Sequence, residues 1–368
     1  MHIVKLLTKI NETGLTTNTL DLTEAFIQKG HRVTLFIGRD NYQNAGLHYL
    51  EKRFLASGAN IVWFENVDKA NTFQKVYQTL VLLRKLSKLK CDIIHVQSPY
   101  LSFIPYLLNK KFVSTLHVAD LPHRFEYKNA TRVIAISRET KDYGIRHFGY
   151  KESQIDLILH GVSKRYQNSI SSREKHVLKE KFSIPSDSLI IGIVASIEKR
   201  KGHDVLLEAI QHLKISGVNY KVLIVGSSKS ENEKEWLENL IIQTKTEDRI
   251  VQIPYQDPKP FYDIMDIFVL PSRLEGFPLV AIEAFLSGCC LVRSNVEGAY
   301  DQIEHGKTGF LFENENVIEL KNILEKLIND DRLRMEVAKN GREFALKNFT
   351  SDIMAEKTLE VYQKVINL

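Results

Sequence analysis

The 368-residue chain contains only three cysteines, Cys91, Cys289 and Cys290, and no CxxC pair. With no histidine cluster at zinc-ligand spacing, these thiols are expected to be reduced, buried side chains of a cytosolic protein. A disulfide scaffold and a structural zinc site are set aside. No apolar run approaches the ~20 residues that a membrane-spanning helix needs. The opening MHIVKLLTKI alternates as a strand does and lacks the long apolar stretch of a secretory signal. Low-complexity segments and strong internal repeats are missing. So is any basic groove interleaved with aromatics, which argues against nucleic acid as a partner. D-x-D, a common way of presenting paired carboxylates to a metal, occurs nowhere.

At 43% hydrophobic and 26% charged residues, the composition is that of a globular protein. The length suits two domains of ordinary size better than one core. A net charge of +5 hides an asymmetry: residues 1–160 carry 22 Lys and Arg against 14 Asp and Glu, and the rest carry 28 against 31. A basic first half can face phosphates or an anionic membrane surface. In VLLRKLSKLK, residues 81–90, four cations flank an apolar stripe. This segment reads either as a surface-lying helix or as a core helix with a solvated basic face.

Strand-like runs alternate with helical patterns throughout, which predicts parallel sheets covered by helices on both faces. In the first half the candidate strands are HIVKLL, RVTLFIG, ANIVWFE, DIIHVQS, FVSTLHV and RVIAIS. TNTLDLTEAFIQKG and FQKVYQTLVLLRKLSKL are candidate helices, the first stopped by Gly30. Residues 162–185 are polar, lack an apolar period and end at Pro185, so a linker is expected there. A second series follows: LIIGIVAS, YKVLIVGS, RIVQIP, IFVLPS, CCLVRS and TGFLF. The expected fold class is α/β, with two Rossmann-like doubly wound domains facing across a cleft. They are placed at 1–165 and 166–349, with a C-terminal helix, 350–368, packing back on the first domain. Such sheets bind ligands beyond the carboxyl ends of their strands.

The stretch SRLEGFPLVAIEAFLSGCC, residues 272–290, carries the clearest chemistry. Pro278 suits the first turn of a helix, and Gly276 would let the preceding backbone approach a ligand. The unpaired amides of Leu279, Val280 and Ala281, with the positive end of the helix dipole, would form a phosphate site. Glu275 and Glu283 read either as a solvated acid and a capping acid or as a pair placed to grip hydroxyl-bearing groups on either side of that phosphate. A hexose and a ribose flanking a diphosphate make a nucleotide sugar.

EGFPLVAIEA resembles the E-x7-E signature of glycosyltransferase family 4, retaining enzymes of GT-B fold. The resemblance runs in family order along the chain. GLTTNTLDLTEAFIQKGHRVTLF, DIIHVQSP, STLHVAD, VIAISRETKD and ILHGVS lie in the first half. IGIVASIEKRKGHDVLLEAI, DIFVLPSRLEGFPLVAIEA and EGAYDQIEHGKTGFLF lie in the second. It implies that Glu275 holds the transferred sugar, Glu283 the ribose and Lys201 the diphosphate. Leu279 and Val280 would cradle the distal phosphate through their amides, with Phe277 in the same binding turn. His117 would lie over the sugar near the reacting carbon, Gly14 would belong to the first loop beneath the phosphate, and Ser137 would sit at the cleft edge.

The pattern also departs from the family. Leu15 stands where a second glycine is usual, and His160 where an Asn is usual. Ala195 and Ser196 replace a Gly-Arg pair, so a cation is missing from the diphosphate site, for which Arg200 or Arg273 is the candidate substitute. The resemblance implies a retaining, metal-independent hexosyltransferase using no cofactor beyond its nucleotide-sugar donor. UDP-hexose or UDP-N-acetylhexosamine is the first choice and GDP-mannose the second. The acceptor would be a glycan or a lipid-linked sugar in bacterial surface polysaccharide synthesis, reached from the cytoplasm or its membrane face. An epimerase or phosphorylase of the same architecture, and a non-catalytic partner subunit that keeps the fold, are the rivals.

Overall fold

The computed structural model describes residues 1–11, 13–39, 45–65, 72–118 and 129–368. Ala119 and Asp120, which close STLHVAD, lie outside them. The chain forms two compact units. One comprises Met1–Ser163 with Phe349–Leu368, and the other Lys164–Asn348.

The first unit is built on seven parallel strands: β1 (His2–Leu7), β2 (Arg32–Arg39), β3 (Asn60–Glu65), β4 (Ile93–Val96), β5 (Phe112–Leu116), β6 (Arg132–Ala135) and β7 (Ile155–Leu157). Their order is β3-β2-β1-β4-β5-β6-β7. Burial on both faces explains why β1, β4 and β5 read as near-continuous apolar runs. On one face Ile3, Val33, Phe26 and Phe54 share a core; on the other, Val4, Phe36, Leu86 and Phe112 share a second. Only three residues long, β7 was below the length at which alternation can be seen.

The C-terminal helix Ser351–Ile366 belongs to this unit. Its Met354, Val361, Tyr362 and Val365 join the core that holds Phe26. The chain is led there by paired backbone bonds, Val162 N–H to Phe349 O at 3.0 Å and Ser351 N–H to Val162 O at 2.9 Å. Gly161 permits the approach: a Cβ at that position would lie 2.1 Å from the Thr350 carbonyl oxygen. The preceding helix, Asp331–Asn348, stays with the second unit, where Val337 and Ala338 are buried in its core.

Helix Thr72–Ser87 resolves the basic segment. Leu82 and Leu86 are core residues, while Arg84, Lys85 and Lys88 are exposed. The apolar residues left uncovered lie upstream, at Phe73, Val76, Tyr77 and Leu80, with Phe73 87% exposed.

The second unit holds six parallel strands: β8 (Leu189–Val194), β9 (Tyr220–Val225), β10 (Ile250–Ile253), β11 (Ile267–Leu270), β12 (Cys290–Ser294) and β13 (Phe310–Phe312). The order is β10-β9-β8-β11-β12-β13. In each unit the order reverses once, at β1/β4 and at β8/β11, the kind of switch point at which doubly wound sheets bind ligands.

The boundary between the units, at 163/164, falls within the expected linker, but that segment is not the unstructured stretch its composition suggests. Residues 162–185 are folded, with a 3-10 turn at Lys164–Gln167 and a helix at Ser172–Lys181. Ser171 and Glu174 form a reciprocal capping box at the helix start. The helix buries none of its residues, so it shows no apolar period, and local capping with good helix formers specifies it instead.

Candidate active site

The second unit's site is assembled where its strand order reverses. β8 runs into a 3-10 turn, Lys199–Lys201, closed by Gly202 in the left-handed conformation at φ +70°. A Cβ on Gly202 would stand 1.9 Å from the Pro271 carbonyl oxygen, so only glycine lets this turn lie against the end of β11. The Arg273 amide donates to the Arg200 carbonyl at 2.8 Å and sews the two loops together. Lys201 Nζ consequently lies 2.6 Å from Glu275 Oε1, with the two side chains 14% and 9% exposed. In such partial burial a charge pair is screened less than on an open surface.

Around this pair the cations are held. Arg200 donates to Glu198 Oε1 at 2.9 Å and to the Leu274 carbonyl at 2.9 Å. Ser196, at the position of the missing arginine, donates its hydroxyl to the same Glu198 oxygen at 2.8 Å. Burial alone would raise the Glu198 carboxyl, but Ser196 and Arg200 together bring it below the ordinary glutamate range. Arg273 forks onto Asp204 at 2.9 and 3.0 Å and also binds Glu315 at 2.7 Å. Those contacts make Arg273 a brace between the two loops. Arg200 keeps 42% of its side chain exposed.

Beside the pair begins the helix Leu279–Ser287. Pro278 is its N-cap, and no side chain caps it. The Pro278 carbonyl accepts from Gln302 Nε2 at 3.0 Å, and the fully buried Arg293 donates to Gln302 Oε1. Gly298, at φ +70°, closes the brace: a Cβ there would fall 2.2 Å from the Gly276 carbonyl oxygen. Gly276 itself is not among the left-handed glycines. The conformational freedom expected of it belongs instead to Gly202 and Gly298. Phe277 is buried beside Gly298, and Val280 is half-buried. An uncapped, rigidly held helix start next to a lysine suits a phosphate.

Glu283 is held on the second turn of the same helix. It is 4% exposed, and its Oε2 accepts from the Tyr262 hydroxyl at 2.9 Å. The carboxylate presses the Tyr262 phenol well above its ordinary range, after burial itself.

The remaining predicted residues are in the first unit. Gly14 is the exposed first residue of helix Gly14–Gln28. His117 follows β5 and bonds through Nε2 to Gln97 Oε1 at 2.8 Å; burial, then Lys5, pushes its ring down to about 3. Its ring lies 5.5 Å from that of His160, which pairs with Asn18 at 2.9 Å. Ser137 is not at an open edge. It is 1% exposed and caps helix Arg138–Phe148, accepting from the Thr140 amide at 3.1 Å.

Sequence reasoning missed Glu198, Asp204, Arg293, Gln302 and Gln97. Glu198 stands two residues before Arg200 in SIEKRKG, a signal that could have been used. The Arg293–Gln302–Pro278 brace joins separate elements and leaves no local trace.

Comparison with known proteins agrees with this geometry. Residues 174–344 match the family described as glycosyl transferases group 1, and residues 13–165 match glycosyltransferase family 4. The capsular polysaccharide biosynthesis glycosyltransferase CapM of Staphylococcus aureus is 33% identical over 234 residues, which span 63% of this chain and 61% of that protein. The O-antigen biosynthesis glycosyltransferase WclY of Escherichia coli is 22% identical over 290 residues, 78% of this chain and 76% of that protein. A solved glycosyltransferase of Rickettsia africae superposes with TM-score 0.86 at 23% identity, over 99% of this chain and 98% of that one. Anabaena HepE in complex with UDP superposes with TM-score 0.84 at 17% identity, over 99% and 100%. At these identities the structural likenesses speak for the fold alone.

Proposed function

The chain belongs to the family 4 glycosyltransferases of group 1 type, and from that premise we propose that it is a retaining enzyme. The donor would be a UDP-hexose or UDP-N-acetylhexosamine and the acceptor a glycan or lipid-linked sugar of a bacterial surface polysaccharide. The observation that carries this reading is the Lys201–Glu275 pair beside the uncapped start of helix Leu279–Ser287. A relative named for capsule synthesis and another named for O-antigen synthesis support the pathway, and a neighbour solved with UDP supports the base.

Breaking the bond between the anomeric carbon and the diphosphate puts negative charge on the leaving group and positive charge on the ring. Lys201 and the helix amides stabilise the first, a preorganised arrangement that needs no reorganisation during reaction. Glu275 orients the sugar through its hydroxyls, and Glu283 takes the ribose. The same reading gives His117, of the first unit, to the transferred sugar. We propose front-face attack: the acceptor oxygen bonds the anomeric carbon on the side the diphosphate leaves. A departing phosphate oxygen takes the acceptor's proton, with no metal required. Retention of Lys201, Glu275, Glu283 and His117 favours an active enzyme over a fold-only partner subunit.

Incubation with a panel of nucleotide sugars, followed by NMR of the product anomer, tests the reading. UDP-sugar turnover with retained configuration is expected; an inverted product would refute the mechanism, and turnover of GDP-mannose alone would replace the donor. The exposed stripe Phe73, Val76, Tyr77 and Leu80, continuing into Arg84 and Lys88, supports peripheral contact with an anionic membrane. Flotation with acidic liposomes is expected, and absence of salt-sensitive binding would defeat that part.

A further inference from the structure

His117, itself half-buried, ends a line of buried polar side chains within the first unit. β4 and β5 are parallel neighbours, with His95 opposite Val113 and Val96 opposite Ser114. That register carries Gln97, one residue past β4, opposite Thr115, and its side chain reaches His117, one residue past β5. The Gln97 amide donates to the Leu6 carbonyl at 3.0 Å, which fixes its backbone at the end of β1. Its side chain is 1% exposed, so water does not compete for its oxygen.

A carboxamide oxygen can only accept. The 2.8 Å contact between Gln97 Oε1 and His117 Nε2 thus requires the hydrogen on Nε2. On the other side, Gln97 Nε2 lies 3.2 and 3.4 Å from the two ring nitrogens of His95. The His95 ring is itself fixed at both nitrogens, by the Tyr362 hydroxyl at 2.6 Å and the Thr115 hydroxyl at 2.7 Å. With the C-terminal helix supplying Tyr362, the line runs Tyr362, His95, Gln97, His117.

We propose that Gln97 is a positioning residue for His117: it holds the ring as the Nε2–H tautomer and leaves the Nδ1 lone pair as the acceptor presented to a substrate hydroxyl. The part about substrate rests on the function proposed above; the tautomer does not. Among the described residues, the charged and titratable groups around the His117 ring are Lys5, His95 and His160. Burial and the Lys5 charge disfavour an added positive charge on His117, so a neutral ring needs an uncharged partner, and an amide supplies one where a carboxylate would not.

The test uses full-length protein carrying 15N-histidine, with the His117 signals identified by their loss in His117→Asn. Long-range 1H–15N spectra of the wild type are expected to show the Nε2–H tautomer. In Gln97→Leu the ring should lose that preference and kcat should fall roughly ten- to a hundredfold with donor KM little changed. In Gln97→Glu the tautomer should persist, while the acid limb of kcat/KM moves up by about one pH unit or more, because the carboxylate favours the imidazolium. An Nδ1–H ring in the wild type overturns the proposal, as do wild-type tautomer and kinetics in both Gln97 variants. If no nucleotide sugar is turned over, the spectra still decide the tautomer, so failure of the proposed function is told apart from failure of this inference.

Discussion

At the scale of single residues, Lys201 and Glu275 show how a site can be prepared before its ligand arrives. The pair is 2.6 Å apart and mostly buried, so each charge is compensated by the other. A bound diphosphate would compete for Lys201 and free Glu275 for sugar hydroxyls. Lys201→Ala removes the cation and leaves a half-buried carboxylate without it. Transfer should fall by about 100-fold or more, by analogy with removal of one transition-state donor. Isothermal titration should also show weakened UDP binding; undiminished turnover would exclude Lys201 from the diphosphate site. Lys201 and Glu275 could be read from their motifs. The engagement of Arg273 by Asp204 and Glu315 could not, because those partners lie 69 and 42 positions away.

At the scale of elements, the turns at Gly202 and Gly298 are shaped by glycines that no other residue can replace. Gly298 combines a left-handed φ with a carbonyl oxygen 2.2 Å from where a Cβ would go. Gly306 has a similar φ of +75° with nothing within 4 Å. Gly306→Ala should therefore cost only about 1 kcal/mol of backbone strain and leave activity alone. Gly298→Ala should cost more, about 2–4 kcal/mol, and displace the turn at Gly276 that precedes the helix start. Urea denaturation and transfer assays on both variants check this; equal loss of activity in the two would mean that the brace does not position the helix. Strand identities were legible because buried parallel strands are apolar on both faces. Helix Ser172–Lys181 was not, because it buries nothing and is set by its cap.

At the scale of the molecule, two sheets with the same pattern of strand order carry different chemistry. The second unit offers a cation and a helix start. The first offers uncharged buried histidines. Burial pushes His203 down to about 4 and His117 to about 3, and holds His95 and His160 well below 6.5. Each ring is more easily protonated unfolded than folded. Their contribution is therefore fully present above pH 6.5 and is lost as pH falls below it. Asp21 acts oppositely: burial raises it to about 6, so it favours the folded state as pH falls from 6 towards 3.8. Lys5, lowered to about 7, costs stability as pH falls from 10.5 towards 7 and changes little below that. Four rings outweigh one carboxyl, so the urea midpoint should drop between pH 7.5 and pH 5. His203 alone accounts for up to ~3 kcal/mol by pH 4. A flat midpoint over that range would mean the rings are not held neutral.

The sequence by itself determined the class of fold, the order of the strands along the chain and the turn into a helix within residues 275–283. Each of these rests on local information: period, capping and a short motif whose physics is contained in a few neighbouring residues. Only the tertiary structure decided which cations are already engaged, that Ser137 is a helix cap, and that Gln97 bonds the His117 ring. Those facts come from side chains brought together across a sheet, and proximity of that kind has no imprint in residue order.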